Sequence, residues 1–221
     1  MDFHSTSNLA ADLGIIPYLR ALDLQHGLVS AIKAGSINGA LLFLEHESVY
    51  TIGRKADPAN YPGINPVRTE RGGDITYHGP GQLVAYPILR IDTGTGLDVR
   101  KFVKTVEDIV IHALNVFGYS ANVGEEPGVW VAFPSGNAKV ASIGMAIDHG
   151  ISLHGVAINI SPDVLTGFSA IRPCGLPPAV MGYVNIDRSE LIKAILKGFA
   201  SHFGEFSWTE KDEIMEIAGI K

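Results

Sequence analysis

Three apolar runs, Gly128 to Phe133, Lys139 to Ile147 and Ile151 to Ile160, follow one another with no helical period between them. Asp148-His149-Gly150, a tight-turn composition, separates the last two, which are expected to form a hairpin. Ala40 to Leu44 and Val49 to Ile52 read as short strands around Glu45-His46-Glu47-Ser48, and Gly81 to Ile91 as a longer one. Pro87 should put part of that run at an edge or a bulge, because proline cannot donate to a ladder. Strands outnumber helices, and regular strand–helix alternation is missing. The pattern predicts an α+β fold, a mixed, largely antiparallel sheet flanked by helices, and not a doubly wound nucleotide fold. No repeat or composition break divides residues 1–221, so a single domain is expected, with at most a small C-terminal lobe.

Helical periods are few. Apolar residues at 15, 16, 19, 22, 28, 29 and 32 predict a helix from Ile15 to Lys33, with Gly35 just beyond. Asp98 is placed to cap a second, whose apolar stripe runs from Val99 through Phe102, Val103 and Val106 to Phe117, with Gly118 as exit. A third spans Arg188 to Phe203, where Asp187 and Glu190 have capping-box spacing, and a short terminal helix is expected from Thr209. Residues 54–68 hold three prolines, Asn60 and Gly63 and read as a loop.

Composition narrows the function. With 46% apolar and 18% charged residues, the 221-residue chain can build an ordinary core. No run of 18 apolar residues occurs, so no membrane span is expected. The first basic residue is Arg20, unlike the charged start of a signal or transit peptide. The single cysteine, Cys174, excludes an internal disulfide and suits a reducing, cytoplasmic compartment. A net charge of −6 without a basic cluster argues against nucleic acid. An acidic macromolecule would therefore need a locally basic patch on which to dock.

Arg71-Gly72-Gly73-Asp74-Ile75-Thr76-Tyr77-His78-Gly79-Pro80-Gly81-Gln82 packs four glycines into twelve residues just before an apolar run. Such a cluster either lets backbone pass close to a ligand or makes a glycine-rich hairpin. In Arg172-Pro173-Cys174-Gly175 the cysteine sits on a stiff turn with a cation two residues away; it is either a small buried hydrophobe or, since a nearby cation favours thiolate, a nucleophile. Lys139 opens an otherwise apolar run; it is either a solvated strand end or a cleft lysine able to exchange a proton with a thiol. His78, His154 and Asn159 supply the residue types of a Cys-His-Asn hydrolase, while His4, His26, His112 and His202 lie in the tail or on helices and read as surface residues. No metal-ligand spacing and no phosphate loop of the Gly-x-x-x-x-Gly-Lys type occurs.

Taken together, residues 13 to 186 resemble the lipoyl(octanoyl) transferases, the octanoyl-[acyl carrier protein]:protein N-octanoyltransferases. Leu13-Gly14, Pro17-Tyr18 and Gln25 carry the resemblance, with Leu44-Glu45-His46, Val49 to Arg54 and the block from Arg71 to Gln82. Lys139-Val140-Ala141-Ser142-Ile143-Gly144, His154 to Asn159 and Pro173-Cys174-Gly175 complete it in matching order and spacing. The resemblance implies the fold of biotin and lipoate protein ligases. It implies transfer of an octanoyl group from acyl carrier protein to Cys174 and then to a lysine of a lipoyl domain, in 2-oxoacid dehydrogenases or the glycine cleavage H protein. It assigns Lys139 to lowering the pKa of Cys174. Acyl binding falls to Arg71, Gly72, Gly73, Asp74, Ile75, Thr76, Tyr77 and His78, to Ser142, Ile143 and Gly144, and to Gly155, Val156 and Ala157. No cofactor is implied, and thioester to amide runs downhill without ATP.

Three expectations follow from that chemistry. Backbone N–H groups of the Cys174-Gly175 turn are candidate oxyanion donors. Arg54, Lys55, Arg68 and Arg172 should form a basic rim for acidic carriers. Glu47-Ser48 and Thr69-Glu70 depart from the family's common residues in segments expected to concern docking. An amidotransferase, an ATP-dependent lipoate ligase, a non-catalytic acyl binder and a thiol hydrolase remain open at this point.

Overall fold

The computed structural model describes residues 8–91, 98–124 and 128–220, and His4 lies outside the described residues. Along the chain come β1 (Asn8–Ile16), α1 (Tyr18–Lys33), β2 (Gly39–His46), β3 (Val49–Ile52), β4 (Val67–Arg68), β5 (Ile75–His78), β6 (Gln82–Leu89) and α2 (Val99–Val116). Next are β7 (Ala121–Val123), β8 (Val129–Phe133), β9 (Gly136–Asp148), β10 (Ile151–Asn159), α3 (Val164–Phe168), α4 (Arg188–Phe203), β11 (Phe206–Trp208) and α5 (Lys211–Ile217). Short 3-10 turns lie at Pro58–Asn60, Pro173–Gly175 and Pro178–Val180.

Eight strands form one sheet in the order β11-β1-β2-β6-β10-β9-β8-β7, parallel where β1 meets β11 and β2 and antiparallel elsewhere. A smaller sheet, β4-β3-β5, stands beside it. The expected hairpin joins β9 to β10, and His149 (φ 49°) and Gly150 (φ 78°) both take the left-handed conformation that a tight hairpin turn demands.

Both faces of the large sheet are covered, so β2 is buried on both sides. Alternation sorts its residues: Leu41 and Phe43 pack with Phe102 and Val106 of α2 and Leu191 of α4. Leu42 and Leu44 pack with Leu24 and Leu28 of α1 and Ile214 of α5. A third apolar cluster, including Ile52, Ile75, Tyr77, Phe168 and Ile171, lies under the small sheet.

Several boundaries differ from expectation. The first helix begins at Tyr18, not Ile15, because extended Pro17 (ψ 141°) carries the strand direction up to the helix. Ile15 and Ile16 belong to β1 and alternate, Ile15 exposed and Ile16 buried. Strands β1 and β11 lack a strong apolar alternation of their own; they form because each completes the other's ladder. Thr209 extends that pairing by donating its N–H to the carbonyl of Ala10, so α5 begins only at Lys211. The C-terminal segment thereby adds a strand to the edge of the main sheet. Pro87 sits in a central strand, opposite Leu41. Regular β6–β10 pairing stops at Ala85 and Val156 and resumes as a bridge at Arg90 and Ile151. The missing N–H thus falls in a gap in the ladder, beside His154, whose φ is 59°.

Candidate active site

A cavity of about 490 Å³ opens between the large sheet, the small sheet and the start of α2. Arg71, Gly72, Gly73, Asp74, Ile75, Thr76 and His78 line one side. Ser142, Ile143 and Gly144 of β9 and Gly155, Val156 and Ala157 of β10 line another, and Lys139 and Cys174 both face the same space. Tyr77 alone of the anticipated residues does not line it. Strand alternation turns its ring toward Tyr50 and Phe168, and its hydroxyl to Ser48 Oγ at 2.8 Å. The volume lies in the ordinary range for small-ligand sites. A larger open groove of about 780 Å³, between the start of α1 and α5, includes Ile15, Arg20, Lys211 and Met215 and none of the reactive groups.

Cys174 is exposed and holds φ 56°, ψ 29°, a left-handed conformation uncommon for a residue with a side chain. Gly175 follows at φ 75°. Such backbone persists only where its surroundings enforce it. Here Ile171 and Pro173 are buried on either side of Arg172. The turn is closed by Gly175 N–H to Arg172 O (2.9 Å) and Leu176 N–H to Pro173 O (3.1 Å). That first bond engages the Gly175 amide, one of the two candidate oxyanion donors of this turn, in closing the turn itself.

Lys139 lies on β9 with only 3% of its surface exposed. Its carbonyl accepts from Gly182 N–H at 2.9 Å, and it bridges to Met181 in parallel fashion. The passage after Cys174 therefore returns along β9 at Lys139. That return brings residues far apart in sequence to one cavity.

Arg71 reinforces the positive character of the site. It is 7% exposed, and its Nη2 donates to Thr51 O (2.7 Å) and Thr51 Oγ1 (3.0 Å), while Nη1 donates to Gly72 O (3.0 Å). Burial lowers its pKa, but the neighbouring Tyr18, Tyr86, Cys174 and Asp74 oppose that shift. Arginine's intrinsic basicity keeps it charged. Its Nε and Thr76 Oγ1 are buried without a hydrogen-bond partner among the described residues. The Arg71–Asp74 loop rests on β3 through Gly53, where a Cβ would lie 2.4–2.9 Å from the carbonyl oxygens of Gly73, Gly72 and Arg71. Only glycine permits that approach.

Beneath the cavity, histidines and tyrosines pack ring against ring. His46 Nδ1 lies 3.0 Å from the Ile16 carbonyl and must donate to it, so Nε2 accepts from Tyr86 Oη at 2.8 Å. Burial drives His46 down to about 4, so it is neutral near pH 7. Burial also holds His78 well below the usual histidine range, raises Tyr18 to about 12 and pushes Tyr86 well up. His78 Nδ1 donates to Gln82 Oε1 (2.7 Å), and Gln82 Nε2 donates to Asn159 Oδ1 (2.9 Å). Gln82 thus stands between His78 and Asn159, and the His-Asn half of a papain-like triad is not assembled.

Two features escaped the sequence reading. Tyr86, Val99, Val103 and Met145 also line the cavity, supplied by helix and strand faces with no local motif, as does Tyr18, to which the resemblance gives no role. Glu70, expected to concern docking, also contacts a residue of the cavity wall: its Oε1 lies 3.3 Å from His154 Nε2 and 3.3 Å from His26 Nε2. The His154 approach lies outside hydrogen-bond geometry. The two histidines help to hold Glu70 down at about 2 despite partial burial.

With the geometry described, comparison with known proteins identifies the lineage. The family profile for the lipoyl protein ligase A/B catalytic domain matches residues 17–200. An octanoyltransferase of Citrifermentans bemidjiense is 41% identical over 81% of this chain and 86% of its own. The chain belongs to the octanoyltransferase family. A further family member, from Mycobacterium sp. strain KMS, is 44% identical over 76% of this chain and 71% of its own. A bipartite lipoate protein ligase from Thermoplasma acidophilum superposes with a TM-score of 0.73 at 19% identity, covering 97% of this chain and 91% of that one. That likeness establishes the shared lipoate-ligase fold. Among the described residues no group of histidine, cysteine, aspartate and glutamate is arranged to hold a metal, and no helix is long and apolar enough to cross a membrane.

Proposed function

We propose that this chain moves an octanoyl group from the thioester of an acyl carrier protein to Cys174, and from there to the ε-amine of a lysine on a lipoyl domain. One observation carries the reading: the only cysteine sits in enforced left-handed backbone at the rim of a cavity that a buried lysine, Lys139, also lines. Family membership supports octanoyl transfer as the net reaction.

In the first step the sulfur anion of Cys174 attacks the carrier thioester. A carbon–sulfur bond to Cys174 forms, the bond to the carrier sulfur breaks, and the departing thiolate takes a proton from the Lys139 ammonium. In the second step the acceptor lysine arrives protonated, since its reference pKa is about 10.4. Neutral Lys139 removes one proton, the amine attacks, and the amide forms as the Cys174 sulfur leaves. The second amine proton passes to water. Both starting ions are restored. Arg71 adds a fixed cation within electrostatic reach of the sulfur.

The cavity suits an alkyl chain: Ile75, Ile143, Met145, Val99, Val103 and Val156 offer apolar surface. Burying six methylenes at about 0.8 kcal/mol each contributes on the order of 5 kcal/mol. The acceptors expected are lipoyl domains of 2-oxoacid dehydrogenases and the glycine cleavage H protein. A catalytic thiol must stay reduced, which suits the cytoplasm. An adenylating ligase of the same fold would have no use for this thiol.

Intact mass spectrometry after mixing with octanoyl acyl carrier protein, without ATP, tests the reading. Wild type should gain one octanoyl group and pass it to a lipoyl domain, and Cys174→Ala should gain none. Octanoylation of Cys174→Ala, or an absolute requirement for ATP, would defeat it.

A further inference from the structure

We infer that Asp74 is a positioning residue for the reactive cysteine, acting through Asn60 and the backbone of Arg172. This rests on the reading of Cys174 as the acyl acceptor. By resemblance Asp74 belongs to an acyl-binding segment, yet its carboxylate is engaged elsewhere. Oδ1 accepts from the Asp57 N–H at 3.0 Å, and Oδ2 accepts from Asn60 Nδ2 at 2.5 Å. These donors stand at the two ends of the Pro58–Asn60 turn, so one carboxylate clamps the whole turn. Asp57 tightens it from within: its side chain accepts from Ala59 N–H (3.0 Å) and its carbonyl from Asn60 N–H (2.9 Å).

The clamped turn has one outward attachment that matters. The Asn60 carbonyl accepts from Arg172 N–H at 2.8 Å, and the Arg172 carbonyl in turn accepts from Gly175 N–H. Cys174 lies inside that last ring, in left-handed backbone. A continuous chain of hydrogen bonds therefore runs from the Asp74 carboxylate to the turn that aims the sulfur. Asp74 is 9% exposed and carries charge-assisted bonds, so the anchor is short and well determined. Ile171 and Pro173 fix the flanks of the turn by burial, whereas Asn60 fixes its polar edge. The sequence offers no hint of this link, because residues 57–60 read only as a proline-containing loop.

The test separates aim from reactivity. Acylation requires the sulfur to meet a carbonyl held in the cavity, and a displacement of about 1 Å can cost a hundred-fold. Alkylation by iodoacetamide requires only an accessible thiol, and Cys174 is the sole cysteine, so its rate reports that residue alone. Asp74→Ala and Asn60→Ala should each slow single-turnover acylation by octanoyl acyl carrier protein about ten-fold, while alkylation changes less than about two-fold. Asp74→Asn should recover most of the acylation rate, because the Asn60 amide can turn over and restore the pair. If an alanine variant does not fold, Asn60→Gln replaces it and should show the same split. Acylation within two-fold of wild type in these variants, or parallel loss of acylation and alkylation, would overturn the positioning role. Octanoylation of Cys174→Ala would instead defeat the underlying reading and leave the anchor without a purpose.

Discussion

A methyl group on Gly128 would lie 2.6 Å from Cε of Lys139 and 2.4 Å from the carbonyl oxygen of Ala141. Gly128 also holds φ 129°, a conformation that side-chain-bearing residues rarely adopt. Its bare α-carbon is therefore what lets the Lys139 side chain lie where it does. Gly128→Ala should lower octanoyl transfer at least about ten-fold and destabilise the fold by about 1–3 kcal/mol, as overpacking does. Steady-state transfer assays with denaturant titration check this. Undiminished transfer would show that the position of Lys139 is not critical.

Acid should weaken the fold through its buried histidines. His46 falls from 6.5 to about 4 on folding, so between those values the unfolded chain binds more protons. Stability is fully present above pH 6.5 and is lost as pH falls toward 4, by about 3 kcal/mol from this residue. His78, shifted the same way, should steepen the loss. Urea unfolding at a series of pH values between 7 and 4 measures the slope. His46→Gln should flatten it, and an unchanged slope would refute the assignment.

Chain-length preference should respond to Gly144. A Cβ there would sit 3.0 Å from Arg71 Cδ and 3.4 Å from the Gly72 carbonyl oxygen, adding bulk to the cavity wall that Gly144 and Arg71 share. Each methylene is worth about 0.8 kcal/mol, roughly a four-fold preference. Gly144→Ala is expected to favour hexanoyl over octanoyl carrier protein by about that factor relative to wild type. Competition between the two donors, read by mass spectrometry, decides it.

Charge at the mouth should govern encounter with acidic carriers. Lys55 lines the cavity, Arg54 precedes it, and Arg172 N–H is tied to Asn60, another lining residue. All three side chains, with Arg68, are exposed on a chain of net charge −6. Arg54→Glu with Lys55→Glu should slow association about ten-fold at low salt, with the difference shrinking as ionic strength rises. Stopped-flow binding across a salt series tests this. Rates independent of salt would remove the rim's role.

Much of the architecture was legible because its signals are local. The caps at Asp98 and Asp187 accept from Lys101 and from Ser189 and Glu190 as their spacing predicts. The β9–β10 turn needed only Asp148-His149-Gly150. The Arg71 block marked itself by its glycines, and Gly72 and Gly73 line the cavity, but the tightest backbone approach there is made possible by Gly53, outside the block. Strands β1 and β11 were not legible, since their pairing joins opposite ends of the chain. The Glu70–His154 contact was likewise hidden, because Glu70 lies in a segment with no local signal toward the cavity.

By itself the order of residues determined most of the element types, since periodicity, capping and turn chemistry act within a few positions, and its motifs carried the resemblance to the family and the choice of reactive candidates. Only the tertiary structure decided that Lys139 and Cys174 share one cavity, that Tyr77 faces away from it, and that Asp74 is tied to the cysteine turn through Asn60. Those relations depend on which strands pair and where a connection returns. Such choices are made by burial and hydrogen bonding across the whole molecule, where no short stretch of sequence carries the information.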